Sequence, residues 1–558
     1  MTSIYNISDR FVDNLSSLNP ILASSLGITG YEAELGDFTP EGSKRNAELV
    51  KNTLRELEPQ SPLTHRDKIA KEVMVEQLSI DLALYEMGEH YRDLNIMHSP
   101  LQSVRMVFDQ MPRTTEHEWE NIAERLKGIP AALNDYKKTL SDGVSRGLVS
   151  TVRQVTGCAE QAQTWSGNNN QASFFSTLIK DFSLSDIKSN ALTKDLQSGI
   201  RVAEEAYRSM SEYLLADYLP NANKRDGVGP ERYTVMAERY NGILLDLPQT
   251  YEWGWEQLQW VDKEMARTAN KILPGEHLSD VIELLESDPE RAIHGVANFQ
   301  RWMQELQDET IKTLNHKHFE IAEPVKKIEA MIAPAGGALA MYYTRPSADF
   351  SRPGRTWYPT GGKTRFPIWG EISIAYHEGV PGHHFQLGTT IHMSDQLSRF
   401  QRLLGGTSGY IEGWALYAER LMGELGYLDN PDYYLGMLRA QALRSVRVIL
   451  DIGMHLELKI PDDSSFHPGE YWTPDLGLEF VKARSHFPSN FVSSEIDRYL
   501  GIPGQAISYK VGERVWLESR EIAKSKLGPS FNLKKWHTKA LGLGGMGLSQ
   551  MQRELGSG

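Results

Sequence analysis

Apolar residues recur at helical spacing along most of this chain, and this period restricts the fold more than any other feature. In residues 65–92, for example, Ile69, Val73 and Leu84 belong to one such series. Similar runs cover residues 117–142, 198–218, 254–272, 295–315, 434–458 and 511–526. Because an amphipathic helix needs an apolar side chain every three or four residues, the sequence predicts a mainly α fold.

Residues 333–370 interrupt this pattern. Glycine, proline and aromatic residues punctuate short extended runs there, as in Ala333-Pro-Ala-Gly-Gly and Ser351-Arg-Pro-Gly. Short runs bounded by turn residues are typical of strands. We therefore predict a small β-hairpin or ribbon in this region.

Charge and cysteine content exclude several classes of protein. The net charge is −14 and the pI is near 5.7, whereas nucleic-acid binders and polybasic membrane proteins need a basic face. The single cysteine, Cys158, allows no internal disulfide, and we expect it to be an inert buried thiol. The N-terminus has no basic start and no long apolar run. A cytoplasmic protein is therefore expected, although a chain trimmed of its secretion signal would look the same.

The segment His377-Glu378-Gly-Val-Pro-Gly-His383-His384 concentrates metal-binding chemistry. Three imidazoles and one carboxylate lie within eight residues. Imidazole nitrogen is a preferred zinc ligand, and a carboxylate beside a metal-bound water can act as its general base. The run resembles the helical His-Glu-x-x-His zinc motif, but it is two residues longer.

A continuous helix would fit one ion poorly. Each helical residue turns about 100°, so His377 and His383 would be about 600° apart and would point to different faces. His384 would share a face with His377, but two turns place it about 10.5 Å further along the axis.

Pro381 argues against a continuous helix, because it lacks an N–H group and clashes with the carbonyl four residues back. The two glycines of the segment permit unusual backbone angles. We predict a helix that ends near Glu378, a tight Gly-Val-Pro-Gly bulge, and a new helix from about His383. The bulge can return His383 to the face of the first histidine, and both His383 and His384 remain candidate ligands at this point.

Glu412 is the candidate for a third protein ligand, which would leave the fourth zinc position open to water. It follows His383 by 29 residues (412 − 383), enough for one helix to run out and a second to return. Glu419 lies seven residues further along the chain, on the same helix face. We expect Glu419 to form an exposed salt bridge, with a hydrogen bond to a metal ligand as the alternative.

Several further motifs accompany the His-Glu run. They include Glu412-Gly-Trp-Ala-Leu-Tyr, Asp451-x-Gly-x-His455 and Pro503-Gly-Gln-Ala-x-Ser-Tyr-Lys. Together these motifs resemble the DUF885 family, for which zinc-peptidase activity is expected, and the resemblance covers most of the chain. It favours His383 over its neighbour as the ligand, because the position of His384 varies in that family.

The resemblance also implies a fold. The family is similar to the gluzincin-like helical metallopeptidases of the thermostable carboxypeptidase and angiotensin-converting-enzyme groups. We therefore expect a large, mainly α fold with a deep central cleft and the β-ribbon 333–370 beside the metal site. Residues 1–558 would form a single helical catalytic unit of two lobes, with residues 1–330 in the first lobe and the metal site in residues 331–558.

These residues predict a zinc-dependent hydrolase that cleaves an amide bond. His377, His383 and Glu412 would hold one Zn²⁺ ion, which lowers the pKa of a bound water and polarises the scissile carbonyl. Glu378 would take the water proton and pass it to the leaving amine. Tyr509 would donate a hydrogen bond to the oxyanion that forms.

Other polar residues are predicted to surround the substrate. Lys510 would bind a substrate carboxylate, and Asp451 would orient a histidine ligand. Substrate contacts are also predicted for four residues: His384, His455, Tyr343 and Arg352. A buried structural network is an equally good interpretation of the Asp451–His455 pair, and core packing is the ordinary interpretation of the tyrosine.

Two substrate classes stay open at the level of sequence. The first is a short peptide, and the second is a non-peptide amide or lactam of a specialised metabolite. A noncatalytic binding protein that retains a metal site is a third possibility, disfavoured because such a protein has no need of Glu378. A small molecule or peptide is the expected partner, with no nucleic acid and no membrane, and the oligomeric state stays open.

Overall fold

The computed structural model describes residues 3–167, 172–333 and 340–556. The protein is mainly helical, with 67% helix and 5% strand. The predicted mainly α fold is confirmed. Within the described ranges, no helix combines the length and the apolar character needed to cross a membrane.

The helices of the first part of the chain are α1 (Ser3–Leu18), α2 (Pro20–Ser25), α3 (Pro40–Leu57), α4 (His65–Glu86), α5 (Pro100–Gln110), α6 (Glu116–Arg146), α7 (Val152–Ser166), α8 (Ser176–Leu184) and α9 (Asn190–Tyr213). Those of the middle part are α10 (Pro230–Asn241), α11 (Leu247–Ile272), α12 (Leu278–Ser287), α13 (Val296–Leu314), α14 (Glu371–Glu378), α15 (His383–His392), α16 (Arg399–Leu403) and α17 (Ser408–Glu424). The last are α18 (Pro431–Leu456), α19 (Pro474–Arg484), α20 (Ser489–Val492), α21 (Glu495–Gly501), α22 (Ser508–Leu527), α23 (Leu533–Gly542) and α24 (Leu548–Gly556).

Each of the seven apolar runs predicted as helix overlaps one of the long helices: α4, α6, α9, α11, α13, α18 and α22. Local chemistry sets the ends of α6. Thr115 and Glu118 form a reciprocal capping box at its start, and Gly147 ends it with a left-handed φ of 70°. The prediction succeeds because period and caps are local properties of the sequence.

The chain divides into two compact units. The first comprises Met1–Ser61, Leu78–Val228 and Leu500–Ile502, and the second comprises Pro62–Gln77, Gly229–Tyr499 and Pro503–Gly558. Residues 229–330 therefore belong to the second unit, whereas the sequence placed a border near residue 330. The predicted central cleft stays a prediction.

The first unit is built on α6, which packs against α9, and α9 packs against α7. Large side chains such as Trp119, Tyr136 and Tyr207 fill its core. Cys158 is fully buried there, as predicted, and burial raises the pKa of its thiol to about 12. A thiol held protonated in this way is a poor nucleophile.

The second unit is built around α18, whose buried residues occupy every face of the helix from Leu435 to His455. Helices α11 and α14 both pack against it, and α14 also packs against α17. Helix α17 lies against α22 at a glycine contact, because a Cβ atom on Gly413 would overlap the backbone of Gly512. This packing brings α14, α17 and α22 together within one unit.

Five short strands belong to the second unit. Their bounds are β1 (Ala292–His294), β2 (Ile328–Ile332), β3 (Tyr342–Thr344), β4 (Gly354–Tyr358) and β5 (Arg365–Pro367). Strand β4 pairs antiparallel with β3 and parallel with β2, while β5 pairs antiparallel with β1.

The predicted hairpin within residues 333–370 is therefore only partly right. Strands β3 and β4 form it, but β2 lies before this range and β5 pairs outside it. Strand β4 has β2 as a second neighbour because its residues Gly354, Thr356 and Tyr358 are buried. A two-stranded ribbon in water would leave these residues exposed. Residues 334–339 of the predicted ribbon lie outside the described residues.

The glycine contact between α17 and α22 can be tested with Gly413→Ala. The added methyl group would overlap Gly512, and overpacking of this kind costs about 1–3 kcal/mol. We expect a lower thermal unfolding midpoint by calorimetry. Gly423→Ala, on the same helix, is the matched control, because its Cβ atom would meet neighbours only at 3.7 Å or more. Equal stability of the two variants would contradict the close approach.

Candidate metal centre

The chain breaks its helix where the sequence predicted. Helix α14 ends at Glu378, and α15 begins at His383. Backbone hydrogen bonds close the intervening bulge, with the Gly382 N–H donating to the Tyr376 carbonyl at 3.0 Å. The indole N–H of Trp414 donates to the carbonyl of Pro381 at 2.9 Å. Both ends of the break are therefore held by buried hydrogen bonds.

The two glycines of the bulge are needed for space. The φ and ψ angles are −95° and −126° at Gly379 and −76° and −129° at Gly382, outside the helical and extended regions, as the predicted unusual backbone angles require. In addition, a Cβ atom on Gly382 would overlap the carbonyl oxygen of His377, and one on Gly379 would overlap the amide of Gln307. That buried amide donates to the carbonyl of Ala375 at 3.1 Å, which ties α13 to α14.

The break brings His377, His383 and Glu412 to one point. One ligand atom from each residue lies within 4.8 Å of the others. The Nε2 atoms of His377 and His383 are each 3.4 Å from Oε2 of Glu412. Ligands about 2.0–2.1 Å from a tetrahedral zinc ion stand about 3.3 Å apart, and the two nitrogen–oxygen distances match this spacing.

Charge at this point favours a cation. Burial tends to raise the pKa of Glu412, but His383 and His377 outweigh it and hold that pKa well below its usual range. Burial tends to lower the pKa of His377, but the neighbouring carboxylates of Glu412 and Glu419 raise it to about 10. Within the described residues, Oε2 of Glu412 is buried without a hydrogen-bond donor. A divalent ion would satisfy these carboxylates in place of protons.

Glu419 supports the first ligand. Its Oε1 atom lies 2.8 Å from Nδ1 of His377, and its Oε2 atom accepts a hydrogen bond from Ser373. Glu419 is fully buried, so the expectation of an exposed salt bridge is wrong. The reason is that α17 turns the face of Glu412 and Glu419 towards α14. A carboxylate on the second nitrogen leaves Nε2 of His377 free to coordinate a metal.

Lys510 lies in a buried network. Its ammonium donates to Oε2 of Glu513 at 2.6 Å and to the amide oxygen of Gln441. Lys510 is fully buried. Burial lowers the pKa of its ammonium group, and the nearby carboxylate of Glu419 opposes this shift. The predicted contact with a substrate carboxylate is therefore corrected, because this ammonium offers no accessible surface.

His384 and Tyr343 form a structural link. The Nε2 atom of His384 donates to the carbonyl of Val325 at 2.7 Å, and Nδ1 accepts from the hydroxyl of Tyr343 at 3.0 Å. Burial lowers the pKa of His384 to about 4, so the ring is neutral. Both of its nitrogens are occupied, which leaves His383 as the second candidate ligand and corrects the predicted substrate contacts of His384 and Tyr343.

Glu378 and Tyr509 border the three candidate ligands. Glu378 ends α14 directly after His377, and burial raises the pKa of its carboxyl group. The ring of Tyr509 stacks on that of His377 with centroids 6.4 Å apart. Tyr509 is partly exposed, and its hydroxyl makes no hydrogen bond within the described parts of the chain.

Three other predicted site residues lie in different surroundings. Asp451 accepts hydrogen bonds from Tyr233 at 2.7 Å and from the Gly504 N–H at 2.9 Å. His455 is buried beside it and contacts the carbonyl of Tyr499 at 3.0 Å. These two form the buried polar network that was the alternative interpretation. Arg352 is exposed in a turn before β4 and contacts the adjacent Pro353 carbonyl.

The choice between the two neighbouring histidines can be tested by zinc content after dialysis. We expect His383→Ala to lose most of its zinc, because one of three protein ligands is removed. His384→Ala is expected to keep its zinc and to lose about 1–3 kcal/mol of stability, because it leaves the Val325 and Tyr343 groups unpaired. The reverse pattern of zinc content would overturn the assignment.

The role of Glu419 can be tested by measuring zinc affinity against a competing chelator. Loss of a carboxylate that orients a histidine ligand lowers metal affinity about 10–100-fold, so we expect a decrease of this size for Glu419→Gln. Glu424→Gln is the control on the same helix, because Glu424 is a surface residue paired with Arg520. Unchanged affinity in correctly folded Glu419→Gln would contradict the role.

Comparisons with known proteins agree on the fold. A structure described as the "putative lipoprotein from Colwellia psychrerythraea" has a TM-score of 0.86 at 19% identity, with 99% of this chain and 98% of that chain covered. A "putative lipoprotein of unknown function from Shewanella oneidensis" has a TM-score of 0.75 at 19% identity, with 99% of each chain covered. No curated protein matches the chain.

A family model described as "Bacterial protein of unknown function (DUF885)" matches residues 20–555. This match covers nearly the whole sequence, and it includes the helix break, the three candidate ligands and Tyr509. The chain therefore belongs to the DUF885 family.

Proposed function

We propose that this protein is a metal-dependent hydrolase that cleaves amide bonds, with zinc as the metal and peptides as the first substrate class to examine. One observation carries the proposal: His377, His383 and Glu412 converge within 4.8 Å beside the buried carboxyl group of Glu378. Two histidines and one glutamate are a ligand set of catalytic zinc sites, in which the fourth position stays open.

Zinc bound to these residues would lower the pKa of a water molecule and polarise the scissile carbonyl. Glu378 takes the proton of the attacking water and returns it to the leaving amine. Its position suits this role. Glu378 follows the candidate ligand His377 by one helical step of about 100°, so its side chain points beside the metal position rather than at it. Burial raises the pKa of its carboxyl group, which strengthens it as a base.

Tyr509 supplies a hydrogen-bond donor for the carbonyl oxygen as that oxygen gains charge. Its ring lies against His377, and the residue is partly exposed. A preorganised donor is worth most where charge develops in the reaction. The guanidinium groups of Arg444 and Arg447 lie 5.7 Å and 4.8 Å from the centroid of this ring. These cations would stabilise the negative charge that develops on the substrate carbonyl oxygen.

The same groups could act on a non-peptide amide or lactam, which is the second candidate substrate class. A noncatalytic binding protein is disfavoured, because such a protein has no need of a carboxyl group at Glu378 beside the candidate ligands.

The cytoplasmic location stays a prediction. Two relatives of similar fold are described as lipoproteins, a class that a lipid anchors to a membrane. The proposed chemistry is the same in either location.

The proposal is tested with Glu378→Gln and a pooled peptide library analysed by mass spectrometry. We expect the variant to retain its metal and to hydrolyse peptides about 10²–10⁴-fold more slowly, because general-base assistance is lost. Glu424→Gln, a surface change on α17, is expected to keep full activity. Removing the metal with a chelator should abolish hydrolysis, and zinc should restore it. A metal-loaded Glu378→Gln protein as active as the unaltered protein would refute the mechanism.

A further inference from the structure

Three arginines cluster beside Tyr509 with one carboxylate among them. Glu495 pairs with Arg447 at 2.8 Å and with Arg498 at 3.3 Å. It also accepts a hydrogen bond from Tyr499 at 2.5 Å. Glu495 therefore has its acceptors occupied by Arg447, Arg498 and Tyr499, and the cluster keeps a surplus of positive charge.

Arg444 carries the unpaired part of this charge. It is only 9% exposed. Its one hydrogen bond is a long contact of 3.4 Å to the carbonyl of Ala440, one turn back on α18, and its Nε atom has no acceptor within the described residues. No carboxylate among those residues forms an ion pair with it. Burying a guanidinium without a counter-charge is expensive, so the arrangement points to an anion from outside the chain.

The position of Arg444 relates this anion to the candidate metal centre. Its guanidinium carbon lies 5.7 Å from the ring centroid of Tyr509, and that ring lies 6.4 Å from the ring of His377. Its guanidinium is also close enough to Glu378 for the two charges to interact. An anion bound by Arg444 would therefore be part of the molecule on which Glu378 acts.

A carboxylate is the anion that best matches this site. The planar guanidinium binds both oxygens of a carboxylate in parallel, whereas a lysine ammonium offers only a point charge. In a peptide, the terminal carboxylate lies one residue beyond the last amide bond. With that amide bond beside Tyr509, the carboxylate would lie near Arg444. A longer leaving group would place its carboxylate further from the reacting carbonyl.

We propose that Arg444 binds the terminal carboxylate of the substrate, so that the protein removes single residues from free C-termini. This inference rests on the proposed amide hydrolase. Water adds to the last peptide carbonyl, the C–N bond breaks, and the leaving amine takes the proton held by Glu378. The products are the shortened peptide and one free amino acid. Arg444 takes the role that the sequence had suggested for Lys510, which the fold buries against Glu513.

The first test compares two peptide sets with the zinc-loaded protein. One set is a pool of tripeptides with free C-termini, and the other contains the same tripeptides amidated at the C-terminus. We expect the free acids to lose their last residue, with kcat/KM about 100-fold above that of the amides, because the amides lack the charge that Arg444 pairs. Equal cleavage of both sets would overturn the inference and would leave the proposed hydrolase standing.

The second test changes the arginine. For Arg444→Gln we expect KM for the free acids to rise about 30–100-fold, with a much smaller effect on kcat/KM for the amides, which lack the charge that Arg444 would pair. Arg444→Lys should give an intermediate KM. Arg484→Gln is the matched control, because Arg484 is a partly buried arginine paired with Asp262, and it should change neither value. An equal loss on acids and amides would show that Arg444 acts on Glu378 rather than on the substrate.

A third measurement does not depend on turnover. Zinc-loaded Glu378→Gln protein is titrated with the same free-acid and amidated tripeptides by calorimetry. Tighter binding of the acids, lost in the Glu378→Gln, Arg444→Gln double variant, supports the inference even if no hydrolysis is observed. Equal binding of acids and amides refutes it. Failure of hydrolysis for every peptide, with selective binding retained, would refute the proposed hydrolase alone.

Discussion

The break between α14 and α15 is the constraint on which the candidate metal centre depends. His383 approaches His377 only because the chain leaves the helix and re-enters it four residues later. Two side chains from other elements hold the break closed: Gln307 of α13 and Trp414 of α17. Trp414 follows Glu412 by two residues, so the helix that supplies the third candidate ligand also anchors the loop between the first two.

The approach of His383 to His377 could be predicted because its chemistry is local. The histidines, Glu378 and Pro381 stand within eight residues, and the effect of proline on a helix needs no knowledge of the fold. The role of Glu419 could not be predicted, because it depends on which face of α17 meets α14, a contact between residues 42 apart. The same limit applies to Lys510, since a charged side chain is exposed by default until its buried partner is known. It also applies to the parallel pairing of β2 with β4, which joins segments separated by the whole of β3.

The buried cations of the second unit differ in whether a carboxylate pairs with them. Lys510 with Glu513, and Arg447 with Glu495, are buried cations that have carboxylate partners. Pairing of this kind keeps the cost of burial low. Arg444 is buried to a similar degree beside the partly exposed Tyr509, and no carboxylate in the described part of the chain pairs with it. The cations with a carboxylate partner stabilise the fold. We infer that Arg444 is instead available to bind a ligand.

The adjacency of His383 and His384 connects the candidate centre to the sheet. Neighbouring residues on a helix point about 100° apart, so His383 faces Glu412 on α17 while His384 faces Val325 and Tyr343. Tyr343 lies in β3, which forms one edge of the three-stranded sheet. The sheet is therefore connected to a candidate metal ligand by one hydrogen bond, from Tyr343 to His384, and one helical step, from His384 to His383. This link fixes the candidate ligand relative to the sheet, and the proposed hydrolysis needs such control of geometry.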